Sequence, residues 1–315
     1  MEGAFDVRPL RDRVPEDVNS TRQPDASPPS SSPFPEIPIE ARTGRFALVG
    51  SFRAALGPEA WEATDPRRSR AIVREVLLEE PDFVALLGDL VFCGSSDDAW
   101  LEYDRLTAPL RNGGVPVYPS LGNHEYWLSS RTALTKYFAR FPRLGGRRWY
   151  AARYGPLGLA FLDSNAQWLS PALWREQCAW LDRVLRAWDA DEAVRGSFVL
   201  LHHAPFARAR ATADTQRVQR DILPVFGAAR KTLAMVAGHP QGEPRFANGK
   251  AFLIASPRAE QASPRPPRGE AEAPPPFRWL SALCDGNRVT VETRQIEGDG
   301  PSSAAAERID LMLGT

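Results

Sequence analysis

An α/β fold is predicted for this chain, on two observations. Continuous apolar runs of four or five residues alternate with segments of helical spacing, and unbroken runs mark strands buried on both faces. Several of those runs stop at glycine beside Asp, Asn or His, and ligands of α/β sheets collect outside the carboxyl ends of strands.

In chain order, Phe46-Ala-Leu-Val49 is a strand ending in Gly50. Arg68 to Glu80 is a helix with Ile72, Val73, Val76 and Leu77 on one face, stopped by Pro81. Phe83 to Leu87 is a strand running into Gly88-Asp89. Asp97 to Leu110 has helical spacing, and Val115 to Tyr118 leads to Gly122-Asn123-His124-Glu125. Trp149-Tyr150 and Gly158 to Leu162 read as paired strands. Pro171 to Trp188 is an amphipathic helix with Leu173, Gln177, Trp180, Leu181 and Leu185 along one side. Phe198 to Leu201 is a strand running into His202-His203, and Thr232 to Val236 runs into Gly238-His239. Phe277 to Leu283 and Arg288 to Arg294 flank Asp285-Gly-Asn, a hairpin turn.

Three regions are expected. Residues 1–43, rich in Pro, Ser and Asp, read as a disordered arm that cannot bury enough apolar surface to offset ordering entropy. Residues 44–297 form one domain with a Pro-rich loop at 256–276, and 298–315 are a tail. Lys plus Arg and Asp plus Glu balance at 39 each, so no net field recruits nucleic acid or an anionic membrane. No stretch approaches the roughly 20 apolar residues of a membrane span. Cys93, Cys178 and Cys284 are odd in number and far apart, which fits reduced thiols. Residues 1–20 hold no apolar run, so the expected location is the cytoplasm.

All 4 histidines fall in the glycine-, asparagine- and histidine-bearing strand ends. Imidazole is a common neutral metal ligand and titrates near pH 7, so their placement points to a metal centre. Each element is weak alone. Asp89 could be a cap or turn residue, and His202 or His203 a hydrogen-bonded core histidine. Order and placement together are more specific.

Gly88-Asp89, Gly122-Asn123-His124-Glu125, Val199 to Pro205 and Gly238-His239 resemble the ordered motifs of the calcineurin-like metallophosphoesterases. Trp149-Tyr150, Phe161 to Asn165 and the Gln177-x-x-Trp180-Leu181 helix are most similar to the purple-acid-phosphatase-like branch. The resemblance implies a four-layer α-β-β-α sandwich with two facing mixed sheets. It also implies a site for divalent transition metal (Zn, Mn or Fe) that clamps a phosphoester and activates water. Carried over, Asp89, Asn123, His202 and His239 are the ligands of one ion. His124 is the histidine that binds substrate and protonates the leaving oxygen. His203 competes with His202 for the ligand role. The first motif's aspartate is replaced by Ser51, and the last motif's second histidine by Gln241. Ligands of the other ion are therefore degenerate, and one ion is expected. Arg53 lies where that ion would be; it reads as a phosphate-binding guanidinium or as a solvated surface residue. The expected function is a metal-dependent phosphoesterase with a reduced site, its partner a phosphorylated small molecule. The alternative is an inactive phosphatase-like protein acting as a binding or regulatory module.

Overall fold

Phe46 and Phe83 stack with ring centroids 4.9 Å apart, and Tyr154 meets both edge-on at 5.5 and 5.1 Å. These rings come from two different sheets, and their contact holds the sheets face to face. The computed structural model describes residues 34–52, 66–206, 211–239, 244–256, 277–296 and 303–314. The larger sheet has strands β1 (Glu36–Ile39), β5 (Tyr150–Tyr154), β6 (Leu157–Phe161), β7 (Gly196–Leu201), β8 (Thr232–Ala237), β10 (Lys250–Ile254) and β9 (Arg245–Ala247), in that spatial order. The other runs β13 (Ser303–Met312), β12 (Arg288–Ile296), β11 (Phe277–Cys284), β2 (Arg45–Gly50), β3 (Phe83–Leu87) and β4 (Val117–Ser120). Both are mixed. The strands that carry motif residues, β2, β3 and β4 in one sheet and β6, β7 and β8 in the other, are parallel within each sheet.

The inner core adds Tyr118 from β4, edge-on to Phe83, and Tyr150 stacked on Phe161 at 4.5 Å. Phe198 of β7 meets Phe46 across the interface. On the outer face of the larger sheet, helix α4 (Pro171–Ala190) packs Trp174, Leu181, Leu185 and Trp188 with Val199, Met235 and Phe252. Helix α1 (Pro66–Leu78) lies against β11 and against helix α2 (Asp97–Asn112) on the other sheet. The result is the four-layer arrangement expected. Among the described residues no helix is long and apolar enough to cross a membrane.

Two boundaries need correction. Residues 36–39, placed in the arm, form β1, which pairs in parallel with β5. Glu36 bonds Arg153 and the indole N–H of Trp188, and Ile37 and Ile39 pack on the core, so a four-residue strand is anchored by its side chains. Pro38 is tolerated because β1 is an edge strand. The tail likewise contains β13, antiparallel to β12 from Ser303 to Met312. Its run of alanines and charges gave no strand signal, because it too is an edge strand with little buried surface. Helix α3 (Ser130–Arg140) was not foreseen either; it starts on a Ser129 cap. Residues 1–33 of the arm and 257–276 of the Pro-rich loop lie outside the described residues.

The far end of the sandwich is tied by Asp82. Its carboxylate accepts the Tyr154 hydroxyl at 2.6 Å and the backbone N–H groups of Arg42, Thr43 and Gly44. Burial opposes ionisation, but the Tyr154 and backbone hydrogen bonds outweigh it and hold the pKa below the ordinary 3.8. A depressed carboxylate stabilises the fold above its unfolded pKa and loses that contribution as pH falls through the folded value. Tyr154→Phe should therefore cost about 1–2 kcal/mol in urea melts at pH 7. The difference from the parent should shrink once Asp82 protonates, below pH 3.8.

Candidate metal centre

Six strands bring their carboxyl ends to one end of the sandwich, and glycines let them converge. A Cβ on Gly238 would stand 1.8 Å from the Leu87 carbonyl, and one on Gly50 would stand 2.2 Å from Gly238 Cα. Gly88, with φ of 77°, leaves room for His202, whose Nδ1 a Cβ would meet at 2.6 Å. A backbone bond then links the two sheets at this end, Gly50 N donating to Ala255 O at 2.5 Å, and within the larger sheet His239 N donates to His202 O at 2.8 Å.

Asp89 follows β3 in the left-handed region, φ 52°, buried to 3% exposure. Its Oδ1 accepts the His124 backbone N–H at 3.2 Å and lies 3.4 Å from His202 Nε2. His202 is fully buried, and its Nδ1 lies 2.9 Å from the Leu87 carbonyl. A carbonyl can only accept, so Nδ1 carries the proton and Nε2 of the neutral ring is bare. Among the described residues no hydrogen bond reaches that Nε2, nor the buried Oδ1 of Asn123. Burial disfavours charging His202, but Asp89 and the Leu87 carbonyl raise its pKa above 6.5 overall.

His124 lies beside them. Its Nδ1 is 2.6 Å from the Phe92 carbonyl, its ring stacks on Trp127 at 3.7 Å, and its Nε2 is 3.9 Å from Asp89 Oδ2. His239 packs edge-on to His202 and stacked on His203, at 5.1 and 5.2 Å. The ligand-capable atoms of His202, His203 and His239 lie within 4.8 Å of one another. His203, buried among imidazoles, has its pKa pushed well down, chiefly by burial.

Ser51 also takes a left-handed conformation, φ 44°, and its buried hydroxyl donates to the Gly238 carbonyl at 3.0 Å. That neutral group is committed to backbone. Arg53 and Gln241 lie outside the described residues.

The sequence reading gave Glu125 no role. It is fully buried and accepts four backbone N–H bonds: Gly122 and Asp89 on Oε2, Leu90 and Val91 on Oε1, at 2.6 to 3.2 Å. Burial and the Asp89 carboxylate push its pKa up to about 7, against those donors. Glu125 thus fastens the loop after β3 to the loop after β4. The motif's fourth residue was the available signal. Asp163, Ser164 and Asn165 hold loops: Asp163 accepts the Tyr126 hydroxyl, Ser164 accepts the His203 N–H, and Asn165 donates to Leu121 O. Gln177 of α4 clamps both backbone groups of Asp163 at 2.8 and 2.9 Å. Asp214, 11 residues past His203, gave no signal at all.

The bare Nε2 of His202, the free Oδ1 of Asn123 and the Asp89 carboxylate are lone-pair donors in one buried place, and they suit a divalent ion with nitrogen and oxygen ligands. Comparisons with known proteins agree with the fold. The family model for calcineurin-like phosphoesterase matches residues 65–239. A dimetal phosphatase from Danio rerio is similar over 86% of this chain and 99% of its own, at 17% identity and TM-score 0.55. A purple acid phosphatase from yellow lupin seeds is similar over 88% of this chain at 13% identity and TM-score 0.61, and this chain spans 55% of it. The Plasmodium protein described as the anchor in the inner membrane complex is similar over 86% of this chain and 89% of its own, at 12% identity and TM-score 0.57. No curated protein matches the sequence.

Proposed function

Because the chain belongs to the calcineurin-like phosphoesterase family, we propose that it is a metal-dependent phosphoesterase with a reduced site. One divalent transition-metal ion, Zn, Mn or Fe, is held tightly by Asp89, Asn123, His202 and His239. The observation that carries this is a pair of buried lone-pair atoms without a hydrogen-bond donor among the described residues, His202 Nε2, which faces the Asp89 carboxylate at 3.4 Å, and Asn123 Oδ1. Two such atoms would be costly to bury without a cation. The ion supplies positive charge that draws a phosphate oxygen and acidifies water. His124 has its Nδ1 tied to Phe92 and its ring fixed on Trp127, so its Nε2 is the nitrogen presented to the phosphate. In the imidazolium form that Nε2 donates to a phosphate oxygen and passes its proton to the leaving group, which leaves the neutral ring with its Nδ1–H on Phe92. The substrate is a phosphorylated small molecule, mono- or diester. The three free thiols suit a reducing compartment, and we place the protein in the cytoplasm.

A second reading has one observation in its favour. Ser51 gives its hydroxyl to Gly238 and brings no charge, which suits a phosphatase-like module that binds phosphate without cleaving it. Metal-stripped protein reloaded with zinc, manganese or ferrous ion, and assayed on an aryl phosphodiester and monoester, separates the two. Hydrolysis that returns with the ion is expected. His124→Ala should lower kcat by about 10²–10⁴-fold with the ion still bound. An ion-loaded parent that cleaves neither ester leaves the binding module.

A further inference from the structure

His203 stands outside the proposed ligand set, yet it is built in as firmly as His202. Its exposure is 4%. Its backbone N–H donates to Ser164 Oγ at 2.8 Å, and the same Oγ lies 3.1 Å from its Nδ1. The serine thereby fixes the ring and turns Nε2 toward helix α5 (Ala213–Arg217). There it faces Asp214, with Nε2 3.9 Å from Oδ2. Asp214, 3% exposed, is held from another side by Gln167, whose backbone N–H and side-chain amide donate to its two oxygens at 3.0 and 2.9 Å.

The 3.9 Å gap is too long for a hydrogen bond. It matches a shared ion: two donors each bound at about 2.0–2.2 Å stand roughly 3.3 to 4.2 Å apart, depending on the angle. Charge points the same way. Among the described residues no Lys or Arg lies within ion-pair distance of Asp214, and its one ionic neighbour is His203. A buried carboxylate facing only amides and an imidazole is stabilised by a cation on its open side. The place is not isolated, since the His203 ring lies 4.7 Å from that of His202 and 5.2 Å from that of His239, on which it stacks.

We propose that His203 Nε2 and the Asp214 carboxylate hold a second, more weakly bound divalent cation next to the ion at Asp89, Asn123, His202 and His239. It rests on the reading of that ion as tightly bound. With two protein ligands this cation keeps water or substrate oxygen in its remaining positions, so manganese suits it as well as zinc.

Manganese titrated into metal-stripped protein, with the free ion counted by its paramagnetic resonance signal, tests the proposal. The parent should bind one ion tightly and one more weakly. Asp214→Asn keeps the side-chain shape, and His203→Gln leaves the Asp214–Gln167 contact intact. Each should retain the tight ion, which reports an intact fold, and weaken the second at least about tenfold. A parent with a single class of site, or two variants that keep both classes, overturns the proposal and leaves the tight ion standing. A parent without a tight ion sinks the earlier reading instead, and the two variants then judge the remaining class in the same way.

Discussion

Glu125→Ala will destabilise the protein by about 4 kcal/mol or more, the largest effect expected of any single substitution at this end of the fold. The carboxylate accepts four backbone N–H bonds, two on each oxygen. Alanine leaves all four donors without their partner in a place where the lost side chain had no exposure. Water entering the space could satisfy some of them, but not in the same geometry. Glu125→Gln should recover little of the loss. Its oxygen can serve one pair of donors, while its NH₂ group points at the other pair and repels it. Equilibrium urea unfolding in the presence of a chelator measures this apart from ion binding. A variant within about 1 kcal/mol of the parent would mean that the loops after β3 and β4 are held by something else.

Asp89→Asn will remove the tight ion with little cost to the fold. Asn tolerates the left-handed backbone that Asp89 adopts, and its side-chain oxygen can still accept the His124 N–H. What it lacks is the negative charge that faces His202 Nε2 at 3.4 Å. Affinity for zinc should fall at least about a hundredfold, and hydrolysis should fall with it. Melting in chelator should match the parent, and the stabilisation on adding zinc should disappear. Undiminished zinc affinity in Asp89→Asn would move the ion away from this residue and toward the three histidines.

The strand ends were legible because their chemistry is local. A buried strand, a glycine and a polar residue within a few positions can be read from sequence, and the resemblance of the ordered motifs then singled out Asp89, Asn123, His202 and His239. The hairpin of β11 and β12 was legible for the same reason, as Asp285-Gly-Asn sits between two apolar runs. The two edge strands β1 and β13 were not, because each turns only two or so apolar residues to the core, Ile37 and Ile39 in one and Ile309 and Leu311 in the other, too short a pattern to mark a strand. Their place depends on partners far along the chain, such as Arg153 and Trp188 for Glu36.

By itself, the sequence determined the α/β class and the elements that end in polar residues, since each follows from periodicity or adjacency, while the candidate ligands among them followed from the resemblance of the ordered motifs to the family. Only the tertiary structure decided how those residues are held. Glu125 bridges two loops 34 to 36 residues apart, Ser51 turns its hydroxyl to a carbonyl 187 residues away, and His202 is oriented by a carbonyl 115 residues away. Asp214 meets His203 only because α5 folds back over the end of β7. Hydrogen-bond geometry and buried charge depend on distance in space, and adjacency in sequence fixes that distance only within one turn or one strand.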